Sequence, residues 1–142
     1  MNRMLPLFSL SGLLLACLPA SAADANGATP GSAETATEVK HATPADAETL
    51  IKAKKVVVID VRTPDEFKGG HIAGAKNIDF QGADFATTLG QLDRKQTYLV
   101  HCAAGGRSTR SLKQFKELGF KSVVHLDGGI SAWQKAGKPV EK

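Results

Sequence analysis

The chain has 142 residues, 42% of them hydrophobic, which suits one compact core rather than several. Its 18 basic and 14 acidic residues leave a net charge of +4, with Lys52, Lys54, Lys55, Lys113, Lys116 and Lys121 dispersed among acids. No basic stripe is interleaved with aromatics, which excludes nucleic acid as a partner; the four histidines lack paired ligand spacing, so neither metal nor cofactor is expected.

In chain order, residues 1–22 read as a secretory signal peptide: basic Arg3, an apolar run over 5–18, then Ala20-Ser21-Ala22. The run is too short to anchor in a bilayer, and Gly12 and Pro19 interrupt it. Leu14-Leu15-Ala16-Cys17 offers a rival reading, because it resembles a bacterial lipobox in which Cys17 would be acylated; Leu15 is unusual just before the small residue. Cleavage after Ala22 predicts a periplasmic or otherwise exported protein with no membrane attachment, and it leaves Cys102 as the sole thiol. A solitary thiol in an oxidising compartment is a liability unless it is used or shielded.

Residues 23–38 are rich in Ala, Thr, Gly and Ser and predict a flexible leader, leaving 39–140 for one domain without internal repeat. Thr43-Pro44 starts a helix through about residue 53, and the β-branched run 56–59 reads as a strand buried on both faces. Thr63-Pro64-Asp65-Glu66 is a capping box opening a short helix that Gly69-Gly70 ends. A short extended segment at 75–78, a helix over 83–92 and a strand over 97–101 follow. Beyond them lie a helix over 108–118 stopped by Gly119, a strand over 122–126 and a helix over 130–136 ended by Gly137. Strands alternating with helices predict an α/β domain built on a parallel sheet.

His101-Cys102-Ala103-Ala104-Gly105-Gly106-Arg107-Ser108 joins the apolar strand Tyr98-Leu99-Val100 to the following helix. Its small residues let consecutive N–H groups turn inward, and a helix start aims its positive end at the same spot. Cys102 in that setting is expected to be partly thiolate, at the carboxyl end of a strand where such sheets bind ligands. Arg107 closes the loop with a forked donor set. Arg107 either orients a donor anion or bonds loop carbonyls; Ser108 either bonds the sulfur or caps the helix. His101 precedes the nucleophile and points to the other face, which argues against a base role. Trp133 and Phe115 read as core or pocket wall, and Asp127-Gly128-Gly129 as a tight turn at the pocket rim.

At these residues the chain resembles the rhodanese (thiosulfate sulfurtransferase) family over about residues 39–140. Three separated signatures carry the resemblance. The first is Val58-Ile59-Asp60-Val61-Arg62-Thr63-Pro64-Asp65-Glu66-Phe67 with Gly70-His71-Ile72-Ala73-Gly74-Ala75-Lys76-Asn77-Ile78. The second is the Cys102–Arg107 loop with Ser108, and the third is Leu126-Asp127-Gly128-Gly129-Ile130-Ser131-Ala132-Trp133. The resemblance implies a three-layer α/β/α domain with a central, mostly parallel five-stranded sheet. It also implies a persulfide on Cys102, with Arg107 as its catalytic companion. In this picture the amides of Ala103, Ala104, Gly105, Gly106 and Arg107, with the Ser108 hydroxyl, bind the sulfur. Asp60 and Arg62 then look like residues that brace the loop, against a plainer reading as a local ion pair.

The expected function is transfer of a sulfane sulfur from thiosulfate or another persulfide-type donor to a thiophilic acceptor such as cyanide. The partners are therefore a small anionic donor and that acceptor, and the protein is expected to be a monomer. A non-enzymatic persulfide carrier for a partner protein is the alternative. A related phosphatase family with the same fold has five residues between Cys and Arg; the four here, Ala103 to Gly106, suit a single extra sulfur. Ala103-Ala104 offers no basic side chain, so modest thiosulfate turnover is expected.

Overall fold

A computed structural model of the protein describes residues 36–142. The signal peptide, Cys17 and the leader up to residue 35 lie outside the described residues. Ten elements follow in order: β1 (Glu38–Ala42), α1 (Pro44–Lys52), β2 (Val57–Asp60), α2 (Pro64–Lys68), β3 (Lys76–Asn77), α3 (Phe85–Gly90), β4 (Thr97–His101), α4 (Gly106–Glu117), β5 (Ser122–Leu126) and α5 (Gly129–Lys135). The strands form one five-stranded sheet in the order β1-β5-β4-β2-β3, and every pairing is parallel. No helix among the described residues is long and apolar enough to cross a membrane.

Side chains alternate across the sheet, so each strand feeds two cores. Tyr98, Val100 and Cys102 face one side with Val123, where Phe85 and Leu89 of α3 and Leu112 and Phe115 of α4 cover them. Leu99, Val58, Val124 and Leu126 face the other, under Ala47 of α1 and Ile130 and Trp133 of α5. Helices on both faces make the three-layer α/β/α architecture, with Phe115 and Trp133 in its cores.

Thr43 and Thr63 both close capping boxes, with Asp46 and Glu66 at the third helical position. The sequence places no strand at 38–42 and counts Glu38 with the leader; β1 occupies those residues. Its mostly exposed side chains (Glu38, Lys40 and His41) are those of an edge strand, whose backbone pairing with β5 composition does not reveal. The other correction concerns α4, which starts at Gly106 rather than Ser108. Gly105, at φ 106°, turns the chain into the helix without any side-chain cap, a conformation open to glycine. That shift puts Arg107 and Ser108 inside the first helical turn.

Candidate active site

Cys102 directly follows β4 at the carboxyl edge of the sheet and is 1% exposed. Its Sγ accepts the Gly105 N–H at 3.1 Å and the Ser108 hydroxyl at 3.4 Å. Burial pushes the thiol pKa up, but the Ser108 hydroxyl and the backbone N–H groups of Ser108, Gly105 and Ala104 outweigh it, and the net direction is down. The sulfur is thus covered yet faced by donors, the arrangement that stabilises a thiolate. Ala103, Gly106 and Arg107 amides make no hydrogen bond to the bare sulfur, so the expected ring narrows to the donors nearest the helix start.

The facing helix fixes part of this geometry. The carbonyls of Cys102 and Ala103 accept the N–H groups of Ile130 (2.9 Å) and Ser131 (3.0 Å) at the start of α5. The Ala103 carbonyl shares its peptide plane with the Ala104 N–H, so holding it outward turns that N–H, one of the groups that lower the thiol pKa, toward the sulfur. The close approach requires glycine at position 129: a Cβ there would lie 2.4 Å from the Cys102 carbonyl oxygen, at a φ of +59°. The Asp127-Gly128-Gly129 turn therefore clamps the loop as well as rimming it.

Arg107 does not bond loop carbonyls. Its guanidinium makes a two-pronged pair with the Glu66 carboxylate of α2 at 2.6 and 2.7 Å. Arg107 drives the Glu66 carboxyl down to about 2, against burial and with help from Thr63. The same pairing raises the Arg107 pKa. Glu66, legible in the sequence only as a cap, thus partly neutralises the one fixed cation of the loop.

Asp60 and Arg62 form the local pair rather than a brace on the loop. Arg62 Nη2 reaches Asp60 Oδ2 at 2.6 Å and the Gly70 carbonyl at 2.7 Å, with both side chains buried. His101 points away from the sulfur and lies 3.8 Å from Asp60; burial lowers its pKa and outweighs the opposing pull of Asp60. His71 stacks on Phe67 and pairs with Glu141 through its backbone, a structural role.

Two residues that sequence reasoning passed over, His41 and His125, complete the site together with Asp127 of the rim turn. Ser108, fully buried, contacts His125 Nε2 at 2.8 Å; His125 Nδ1 meets Asp127 Oδ1 at 3.0 Å; and the same oxygen meets His41 Nδ1 at 2.7 Å. His41 and His125 are register partners on β1 and β5, 84 residues apart in sequence, so spacing along the chain could not show the pair. One signal was available: His125 shares the face of Val123, a polar residue aimed at the helix behind the cysteine. The expectation of no metal rested on spacing, and the fold brings His41, His125 and Asp127 donor atoms within 4.8 Å of one another.

A parallel α/β/α domain with a donor-faced thiol at the carboxyl ends of its strands is a scaffold for a cysteine nucleophile. Residues 43–136 match the family model described as Rhodanese-like domain, and the chain belongs to that family. It is 37% identical over 87 residues to an uncharacterized protein of Synechocystis sp., covering 61% of this chain and 48% of that one. It is 37% identical over 81 residues to the thiosulfate sulfurtransferase GlpE of Shewanella oneidensis, covering 57% of this chain and 78% of GlpE. The chain spans about half of the Synechocystis protein and 21% of a similar probable adenylyltransferase/sulfurtransferase, MoeZ, of Mycobacterium tuberculosis. Among solved structures, a rhodanese-related protein of Thermoplasma volcanium matches with a TM-score of 0.65 at 33% identity, over 72% of this chain and 97% of that one. A Rhodopseudomonas palustris protein described as a possible tyrosine phosphatase matches at 0.59 and 35% identity, over 72% and 85%. The family match and the named relatives support sulfur transfer as the class of chemistry.

Proposed function

We propose that this protein is an exported sulfurtransferase that carries a sulfane sulfur as a persulfide on Cys102. The observation that supports this most is the sulfur held by Gly105 N–H and Ser108 Oγ inside a four-residue loop. The thiolate attacks the outer sulfur of thiosulfate, the S–S bond of the donor breaks, and sulfite leaves with the bonding electrons. An acceptor such as cyanide then attacks the outer persulfide sulfur, and the Cys102 thiolate departs unchanged. The amides that stabilise the thiolate would stabilise the persulfide anion by the same electrostatics. Residues 1–22 support export to the periplasm, where the protein would act as a monomer on small anionic donors.

The Arg107–Glu66 pair bears on the donor. Arg107 is the only charged side chain of the loop, and a carboxylate already occupies its fork. This favours a less charged persulfide donor over the thiosulfate dianion and counts against tight phosphate binding. It also keeps a persulfide carrier as the second reading. Thiosulfate–cyanide turnover, with mass analysis for one added sulfur, tests the proposal. Expected are sulfur loading and sustained turnover in the wild type and neither in Cys102→Ala. Equal turnover in both would overturn it, and loading without turnover would favour the carrier.

A further inference from the structure

Ser108 Oγ has one proton and three acceptors around it: Gly105 O at 3.0 Å, His125 Nε2 at 2.8 Å and Cys102 Sγ at 3.4 Å. The Gly105 carbonyl already accepts the Thr109 amide at 2.9 Å and the Thr109 hydroxyl at 2.8 Å, which fills its two lone pairs. The Ser108 proton is therefore divided between sulfur and imidazole. Asp127 decides the other side of the ring: a carboxylate 3.0 Å from Nδ1 holds a proton on that nitrogen. With His125 neutral, Nε2 is bare and takes the Ser108 proton. With His125 protonated, Nε2–H donates to Ser108, and the hydroxyl must turn its proton to Cys102.

We propose that His125 is the proton acceptor for Cys102, acting through the Ser108 hydroxyl and positioned by Asp127. This rests on Cys102 being the nucleophile. The thiol proton passes to Ser108 Oγ as the hydroxyl proton passes to Nε2, so one S–H and one O–H bond break while one O–H and one N–H bond form. The products are a thiolate that accepts the Ser108 hydroxyl and an imidazolium that donates to Ser108 and Asp127, with no net change in protons. Each of the three contacts is already in place. The chain also solves an access problem, since Cys102 is 1% exposed while Asp127 and His41, at its far end, are more than half open to solvent. The groups facing His125 are His41 from β1, with its ring 5.3 Å away edge-on, Ser108 and Thr109 from α4, Asp127 beyond β5, and Cys102 behind Ser108. Two imidazoles share one Asp127 oxygen, and they hold its carboxyl below the ordinary range, His41 more strongly than His125. Asp127 is thus ionised and available to receive the imidazolium charge.

The test is the rate of Cys102 alkylation by iodoacetamide against pH, on the full chain with a chelator present to keep metal off the cluster. His125→Leu should leave Cys102 alkylation near neutrality about tenfold slower than in the wild type. Ser108→Ala should do the same, and adding His125→Leu to Ser108→Ala should slow it no further. Asp127→Asn, at an exposed position that folding tolerates, should slow alkylation several-fold near neutrality and covers the case in which His125→Leu fails to fold. Wild-type alkylation rates in His125→Leu would overturn the proposal. So would an equal slowing by His125→Leu in the Ser108→Ala background, or wild-type rates in Asp127→Asn. Alkylation needs no sulfur turnover, so His125-dependent alkylation in an inactive protein sinks only the sulfurtransferase reading. Alkylation independent of His125 in an active enzyme sinks only the relay.

Discussion

Gly129→Ala places the greatest demand on the site, because it acts on the loop without touching any group that bonds the sulfur. The added Cβ would sit 2.4 Å from the Cys102 oxygen, 2.7 Å from the Ala103 oxygen and 2.8 Å from the Ala103 carbonyl carbon. Relieving that to an ordinary C···O contact of about 3.3 Å needs roughly 1 Å of separation between loop and helix. Such a shift breaks the bonds from Ile130 and Ser131 to those carbonyls, at about 1 kcal/mol each. The left-handed backbone at this position costs a non-glycine residue about 1–2 kcal/mol more. The sum is about 3–4 kcal/mol, a large share of the roughly 5–15 kcal/mol that holds a domain together. Thermal unfolding should therefore fall by about 10–30 °C. In the surviving folded protein, the freed Ala103 carbonyl lets its peptide plane rotate and carry the Ala104 N–H off the sulfur, so the thiol pKa should rise, read from ultraviolet thiolate absorbance. A variant with unchanged melting and an unchanged thiol titration would refute the claim that α5 sets the direction of the Ala104 amide.

Asp60→Asn leaves the buried Arg62 guanidinium without its counter-charge, and should cost about 3–5 kcal/mol in denaturant titrations. At a temperature where it stays folded it should keep its thiol reactivity, since the pair is tied to Gly70 and not to the cysteine loop. Glu66 has its folded pKa depressed from 4.5 to about 2. Its contribution to stability is therefore complete above about 4.5 and lost as pH falls toward 2, and the acid limb of an unfolding profile should flatten in Glu66→Gln. With its side chain 37% exposed, the contribution is modest and shrinks in salt. In the same variant Arg107 loses its carboxylate, so KM for thiosulfate should fall; an unchanged or higher KM would show that Arg107 needs Glu66 to hold its place.

The sequence announces what depends on neighbours along the chain and hides what depends on neighbours across the sheet. The capping boxes at Thr43 and Thr63, the strand at Thr97–His101 and the glycine-lined loop after it are local patterns, and each is where the sequence places it. Even Glu66 was visible, but as a cap; that its carboxylate also grips Arg107 depends on a 41-residue separation closed by the fold. The edge strand β1 was invisible for a related reason. Its side chains are mostly polar, and its order comes from hydrogen bonds to β5 that leave no hydrophobic trace. Missing β1 meant missing His41, and with it the reason His125 and Asp127 form a cluster rather than a strand end and a turn. The donor-faced thiol was thus legible from a dozen consecutive residues. The imidazoles and the carboxylate beyond Ser108 were not, because the parallel register of β1 and β5 brings them together only in the fold.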